Sequence, residues 1–494
     1  MDGQGAAQVV YATMVSDMET PVSAMLRLAK RQANSFLLES VEGGASRGRY
    51  SFIGLRPDLI WRCAGDNAEI NRTVPDDPNA FVPCPVSEAS GAIESLRALV
   101  KESRIDIPDD LPPMASGLVG YLSYDIVRLI EKLPDDNPDG LGVPDSIFLR
   151  PTVMAVFDSL KDNLTIITPV WPNSSVSADE AFKAAGVRLA EVVHDFETAP
   201  PPPVEKSKVE HKDPEPVANM SRETFHGMVN KAVEYINAGD AFQVVPSQRF
   251  RLPFTLPPLA FYRSLRRLNP SPFLFFLDFG DFSVVGSSPE ILVRVRDGKI
   301  TLRPLAGTRK RGTTAEEDEA LVKDLLSDPK EIAEHLMLLD LGRNDVGRVA
   351  EVGTVEVTEQ FIVEFYSHVM HIASNVEGVL APDCDAIDAL LAGFPAGTVS
   401  GAPKVRAMEI IDELEPERRG IYAGCIGYFG ANGDMDTCIA LRTAVIKDET
   451  LFVQAGGGVV ADSDPEGEYQ ESRNKAQALI RAAEEAVKFA SGKS

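Results

Sequence analysis

Apolar positions along the chain fall in short runs separated by turn-forming residues. Before residue 195, Phe36 to Leu38, Tyr50 to Ile53, Thr152 to Phe157 and Leu164 to Pro169 are rich in β-branched and aromatic side chains and predict strands. Helical spacing replaces the strand pattern near Val86 to Lys101 and Ala178 to Val193. The later part repeats this mixture with stronger strands: Phe273 to Phe279, Phe282 to Gly286, Leu292 to Val295, Ile300 to Pro304, Ala423 to Tyr428 and Leu451 to Ala455. Asp297-Gly298 and Asn432-Gly433 lie between strand-like runs, a hairpin signal that favours antiparallel pairing. Strand and helix do not alternate regularly, so the pattern predicts an α+β class rather than a doubly wound sheet.

One boundary interrupts the pattern. From Thr198 to Ala218 the chain carries Pro200 to Pro203 and then alternating charges, the composition of a linker that cannot bury a core. The predicted organisation is an N-terminal domain over 1–195, a linker over 196–220 and a second domain over 221–494. Ser221 suits the N-cap of a helix over Arg222 to Ala238 that ends at Gly239.

Composition narrows the function classes. With 494 residues, 44% hydrophobic and 25% charged, the chain has the make-up of a soluble globular protein. A formal charge of -25 excludes nucleic acid and anionic membranes as expected partners, because phosphates would be repelled. An anionic substrate would need a local cation or a few placed Arg and Lys residues. The N-terminus lacks a basic stretch followed by an apolar one, and no apolar run approaches the ~18 residues of a membrane span. The five cysteines are scattered and odd in number, so disulfides and a zinc site are not expected and a cytoplasmic location is.

Two carboxylate pairs carry candidate chemistry. Asp328 suits an N-cap and Pro329 a first helical position. At about 100° per residue, Glu331 and Glu334 then share a side with Leu338 and Leu341 and are expected to look inward. Glu468 and Glu471 open the last predicted helix, on the face of Lys475, Ala478, Leu479 and Ala482. Each pair alone also reads as ordinary helix chemistry, a capping box at Asp328/Glu331 and an i,i+4 ion pair at Glu471/Lys475. Two inward pairs of like charge together require protons or a cation. All-oxygen ligation without Cys or His points to Mg²⁺. Gln454 to Val460 contains the run Gly456-Gly457-Gly458, whose amides suit an anion or simply a tight turn.

Several segments taken together resemble the chorismate-binding family: Phe242 to Gln248, Ser287-Ser288-Pro289-Glu290, Pro304 to Arg309, Glu331 to Asn344, Val369-Met370-His371 and Gly397 to Lys404. Tyr422, Arg442, the glycine run and Glu468 to Lys475 complete the set, which spans 221–494 in order. The N-terminal part matches more loosely, through Leu37 to Ser40, Arg49-Tyr50-Ser51 and Gly117 to Tyr121. The resemblance implies largely antiparallel sheets packed as a sandwich and flanked by helices. It implies Mg²⁺ held by Glu334 and Glu471 with Glu331 and Glu468 in support, neutralising the ring carboxylate of chorismate. Tyr422, Arg442 and the amides of Gly456, Gly457 and Gly458 would receive the enolpyruvyl carboxylate, with Gly307, Thr308 and Lys475 lining the same site. Glu290 is implied as the general acid at the C4 hydroxyl and His371 as the group assisting proton loss at C2, with Gln243 and Thr398 also in the catalytic set.

Three positions choose among branches of the family. Ala306 stands where the aminodeoxychorismate-forming branch commonly has a lysine nucleophile. Gln243 stands where isochorismate- and salicylate-forming members have a lysine that activates water, and a neutral amide cannot be that base. His371 suits completion of an elimination to an aromatic amine. The implied reaction converts chorismate and ammonia into anthranilate and pyruvate through aminodeoxyisochorismate, in tryptophan biosynthesis. The alternative is formation of aminodeoxychorismate for folate. Residues matching Glu39, Ser40, Pro272, Phe273 and Leu274 imply a site for tryptophan as feedback inhibitor. Lys310, Gly342 and Gly457 depart from the usual pattern without removing a functional side chain, and Gly342 is expected to mark the end of its helix. Cys425 faintly suggests a nucleophile elbow, but no histidine follows His371, so ammonia is expected from solution or a separate glutamine amidotransferase subunit.

Overall fold

Two long strands, Tyr50–Ala64 and Ser146–Asp158, organise the molecule. They pair antiparallel along nearly their whole length, with a register shift between Pro57 and Leu59. A bulge of this kind bends a strand pair and lets it pass from one sheet to another. The early end of Tyr50–Ala64 pairs with Ser35–Glu39, and its late end with Asn67–Asn71. The computed structural model describes residues 6–30, 32–42, 46–172, 176–198, 215–366 and 369–491. Most of the predicted linker, Pro200 to Pro203 included, therefore lies outside the described residues.

From that shared pair two antiparallel branches extend. One runs through Ser35–Glu39, Phe273–Asp278, Phe282–Ser288, Thr443–Lys447, Thr450–Gly456 and Ser247–Pro253 to the short edge strand Val217–Ala218. The other runs through Gly117–Leu122, Cys425–Gly430, Met435–Ile439, Ile291–Arg296 and Lys299–Leu302 to Val369–Val379. Val369–Val379 pairs with Leu305–Lys310 on one edge and Glu356–Phe365 on the other. Strands from before residue 195 thus interleave with strands from after residue 221 in one continuous ladder.

The two branches face each other. Phe36, Phe275 and Val284 from one and Tyr121, Ile426 and Cys438 from the other are buried in the same cluster. The helices Pro21–Leu28, Pro258–Leu268 and Pro465–Ser491 cover the outer face of the first branch, and Pro85–Glu102 and Ala386–Gly393 cover the second. This is the expected α+β arrangement of antiparallel sheets flanked by helices. Among the described residues no helix is long and apolar enough to cross a membrane.

Local chemistry accounts for the boundaries. Ser221 caps Arg222–Ala238 by accepting the Thr224 amide, and Gly239 closes it in the left-handed region at φ 89°. Asp297 and Gly298, both at positive φ, form the two-residue turn between Arg296 and Lys299. Three expectations are corrected. The strand at Tyr50 runs to Ala64, because the late residues find partners in the second branch. The helix near Val86 spans Pro85–Glu102 but is interrupted at Gly91, whose φ is 86°. Gly342 does not end its helix, which runs Pro329–Gly347; its missing Cβ faces Val376 at 3.8 Å in a buried stretch.

Candidate active site

The glutamates meet at the ends of two helices. Asp328 caps Pro329–Gly347 by accepting the Lys330 amide, which puts Glu331 and Glu334 in the first turn and a half. Gln243, buried on a two-residue ladder with Ala402, donates its Nε2 to Glu334 Oε1 at 2.9 Å. Glu331 is held by Arg309 Nη1 at 2.8 Å and the Thr308 amide at 3.3 Å. On Pro465–Ser491, Glu471 pairs with Lys475 at 2.7 Å, and Lys475 also reaches the Gly456 carbonyl at 3.0 Å. Glu468 accepts from Ser463 through Oε1, while its Oε2 is buried without a partner. Burial, then the nearby charges of Glu331 and Glu471, raises the Glu334 pKa against the Gln243 bond. Burial and Glu471 raise that of Glu468.

Among the described residues, no group of three or more His, Cys, Asp or Glu side chains converges tightly enough to hold a metal. Arg309 and Lys475 neutralise Glu331 and Glu471 instead. The donor set itself suits Mg²⁺: it is all oxygen, and the bare Glu468 Oε2 lies where a Cβ on Gly457 would come within 2.6 Å.

A second cluster is organised by the strand Leu305–Lys310. Thr308 stands opposite His371 across the ladder, and its Oγ1 lies 2.9 Å from His371 Nδ1. The Gly307 carbonyl is 3.3 Å from the same nitrogen; Gly307 adopts φ 82°, where the ladder slips between Ala306 and Thr308. A carbonyl only accepts, so Nδ1 carries the hydrogen and Nε2 keeps its lone pair. Burial, together with Arg442 and Lys475, lowers the His371 pKa to about 4, and the Gly307 carbonyl opposes this. Glu290 is buried and accepts only from neutral groups, the Thr398 hydroxyl at 3.1 Å and the Leu305 amide at 3.4 Å. Burial raises its pKa to about 8. The site therefore holds a protonated carboxylic acid and a neutral imidazole at neutral pH.

Tyr422 and Arg442 lie nearby with the glycine run. Burial raises Tyr422 to about 12 against the nearby Arg419 and a bond with the Gly456 backbone. Arg442 sits at φ 49°, and burial lowers its pKa with only Tyr422 opposing. A Cβ on Gly458 would lie 2.5 Å from Gln243 Nε2, so a side chain there would have to displace the amide that Gln243 donates to Glu334. Thr308 and Gly307 tie His371 to Glu331, Gln243 reaches Glu334 beside Gly458, and Glu468 lies against Gly457. Glu290, bonded to Thr398, accepts from Leu305 two residues before Gly307 on the same strand.

Glu39, Ser40, Pro272, Phe273 and Leu274 form a separate group. Leu274 pairs directly with Glu39, although more than two hundred residues separate them in sequence. The Glu39 carboxylate is buried and engaged by Tyr262 Oη at 2.6 Å and Arg266 Nη2 at 2.7 Å. Gly48 lies against Ser40, where a Cβ would come within 1.6 Å of Oγ.

The motif reading missed the supports. Arg419, fully buried, pairs with Glu415 and donates to the carbonyls of Val399 at 2.7 Å and Val245 at 2.6 Å, which fixes the neighbours of Thr398 and Gln243. The i,i+4 spacing of Glu415 and Arg419 was the one signal available. Lys404 and Asp345 pair at 2.8 Å between two helices, and no local pattern announces that contact.

A family model described as "chorismate binding enzyme" matches residues 58–481, and the chain belongs to that family. Within it, the chain is 60% identical over 486 residues to the anthranilate synthase component 1 of Cereibacter sphaeroides, covering 98% of this chain and 96% of that protein. The corresponding protein of Pseudomonas aeruginosa is 47% identical, with 97% and 96% covered. The crystal structure of anthranilate synthase component I from Streptococcus pneumoniae superposes with a TM-score of 0.76 at 36% identity, over 95% of this chain and 99% of that one. The menaquinone-specific isochorismate synthase of Escherichia coli, at 20% identity and a TM-score of 0.71, shares the fold.

Proposed function

We propose that this chain converts chorismate and ammonia into anthranilate, pyruvate and water, in tryptophan biosynthesis. The observation that carries the reading is the pair of Glu290, held protonated, and His371, held neutral, in one site. A chain 60% identical to this one bears the name anthranilate synthase component 1. Ammonia attacks C2, the ring double bond shifts, and the C4 hydroxyl leaves as water with the Glu290 proton. His371 Nε2 then takes the C2 proton while the C3–oxygen bond breaks, and the released enolpyruvate gains a proton to become pyruvate. Arg442, Tyr422 and the amides of Gly456 to Gly458 receive the enolpyruvyl carboxylate. Glu334 and Glu471, supported by Glu331 and Glu468, would hold Mg²⁺, which when bound neutralises the ring carboxylate. Formation of aminodeoxychorismate is disfavoured because Ala306 offers no amine nucleophile.

Ammonia comes from solution or from a separate glutamine amidotransferase component. Burial pushes the Cys425 thiol up to about 12, which leaves no thiolate there for glutamine. Glu39, Ser40 and Pro272 to Leu274 form the tryptophan-inhibition site in this reading. The test is a product assay on the purified chain with chorismate, MgCl₂ and ammonium chloride. Fluorescent anthranilate is expected with ammonium and none with glutamine alone. Accumulation of a non-aromatic amine as the final product would overturn the assignment.

A further inference from the structure

His371 has a carboxylate beside it that it does not use. Glu364 pairs with His371 across the Glu356–Phe365 and Val369–Val379 strands, on the side opposite Thr308. Directly paired residues on antiparallel strands present their side chains on the same face, with Cβ atoms about 5 Å apart. A carboxylate so placed ordinarily pairs with an imidazole and makes it a stronger base. Here both Glu364 oxygens are taken. Arg303 donates to Oε1 through Nε at 3.0 Å and through Nη2, and Tyr366 Oη donates to Oε2 at 2.8 Å. Arg303 is itself anchored to Glu359 at 2.6 Å. The Tyr366 ring meets the His371 ring in a T-shape, with centroids 5.4 Å apart. Its carbonyl accepts from Arg311 at 2.9 Å, so the residue is fixed at both backbone and hydroxyl.

We propose that Tyr366 is a positioning residue: by occupying Glu364 Oε2 and packing against the imidazole, it keeps that carboxylate from pairing with His371. The inference rests on the reading of His371 as the base that removes the C2 proton. The groups facing the imidazole are Arg442 and Lys475 across the site, Thr308 on one neighbouring strand, and Glu364 with Tyr366 on the other. Arg442 and Lys475 favour the neutral ring, Glu364 favours the charged one, and Tyr366 with Arg303 limits what Glu364 can do. A strongly paired His371 would hold the abstracted proton but would begin the reaction already charged, with no lone pair to offer.

The test titrates the histidine rings by ¹⁵N NMR in the full chain, with His371 assigned from the signal lost in His371→Met. Tyr366→Phe keeps the ring and frees Glu364 Oε2, and the His371 midpoint is expected to rise by about one pH unit or more. Tyr366→Phe combined with Glu364→Gln should return it to the parent value or below, which loss of packing alone would not do. An unchanged midpoint in Tyr366→Phe overturns the proposal, as does a raised midpoint that persists in the double variant. Initial rates separate this from the functional reading. If the NMR midpoint moves and the acid limb of turnover follows, both stand. If the midpoint moves and the limb does not, the contact stands and His371 is not the base.

Discussion

Glu290 and Glu331 each accept a hydrogen bond from a backbone amide of the same strand, Leu305's in one case and Thr308's in the other, and there the likeness stops. Around Glu290 every other partner is neutral, and burial pushes it up to about 8. Around Glu331 stands Arg309, itself shared with Asp324 and Asp328. The same contrast separates His371, bonded to a hydroxyl and a carbonyl, from Glu471, paired with Lys475. A titratable group given only neutral partners becomes a store or sink for a proton. One given a cation remains a charge available for binding. Identical glutamates in one site thus take different roles from their neighbours.

The largest effect is expected at the glutamates proposed to hold Mg²⁺, which straddle that contrast: Glu334 is bonded to the neutral Gln243 and Glu471 is paired with Lys475. Glu334→Gln or Glu471→Gln should reduce turnover by about 10³-fold with circular dichroism and melting temperature little changed. Full activity of either variant in the presence of EDTA would remove Mg²⁺ from this reading. The proton-handling side should show itself in pH dependence. Glu290 donates only while protonated, so turnover should fall above about pH 8; His371 accepts only while neutral, so it should fall below about pH 4. The Thr398 hydroxyl favours the charged carboxylate, so Thr398→Val should move the basic limb to higher pH. A basic limb that stays in place would separate Glu290 from the proton step. Ser40→Phe lies outside both sides and should raise the tryptophan concentration needed for half-inhibition at least about tenfold, leaving the uninhibited rate nearly unchanged. Equal inhibition of parent and variant would show that this edge is not the inhibitor site. The smallest effect is expected of Gly342→Ala, on the helix that carries Glu331 and Glu334. Its Cβ would meet Val376 at 3.8 Å, an ordinary contact, so denaturant unfolding should show a gain of about 0.5–1 kcal/mol with unaltered turnover.

Much of this was legible in the residues. The cap at Ser221, the stop at Gly239, the helix start at Asp328-Pro329 and the turn at Asp297-Gly298 all follow from local backbone preferences, and the structure has each. The inward aspect of Glu334 and Glu468 followed from helical periodicity, but that of Glu471 did not hold: its side chain is about half exposed, drawn to Lys475 one turn on. What periodicity does not carry is distance between segments. Nothing near Tyr366 indicates that its hydroxyl meets a carboxylate already held by Arg303, 61 residues before that carboxylate in the chain. The break at Gly91 escaped for a related reason. A Cβ there would come within 2.6 Å of Asp66 on the hairpin beneath, which accepts the Ala92 amide.

The bulged pair Tyr50–Ala64 and Ser146–Asp158 has a consequence for how the polypeptide reaches this state. Partners in the ladder are often more than one hundred residues apart, as with Leu274 and Glu39 or Tyr121 and Ile426. Closing such loops is entropically slow, and topologies of this kind fold late and expose strands meanwhile. As the chain emerges from the ribosome, Ser35–Glu39 and Gly117–Leu122 wait for neighbours that have not yet been synthesised. Until then their free backbone groups can template association with other chains. The strand order therefore lengthens the time these edges stay open, independently of the chemistry the finished site performs.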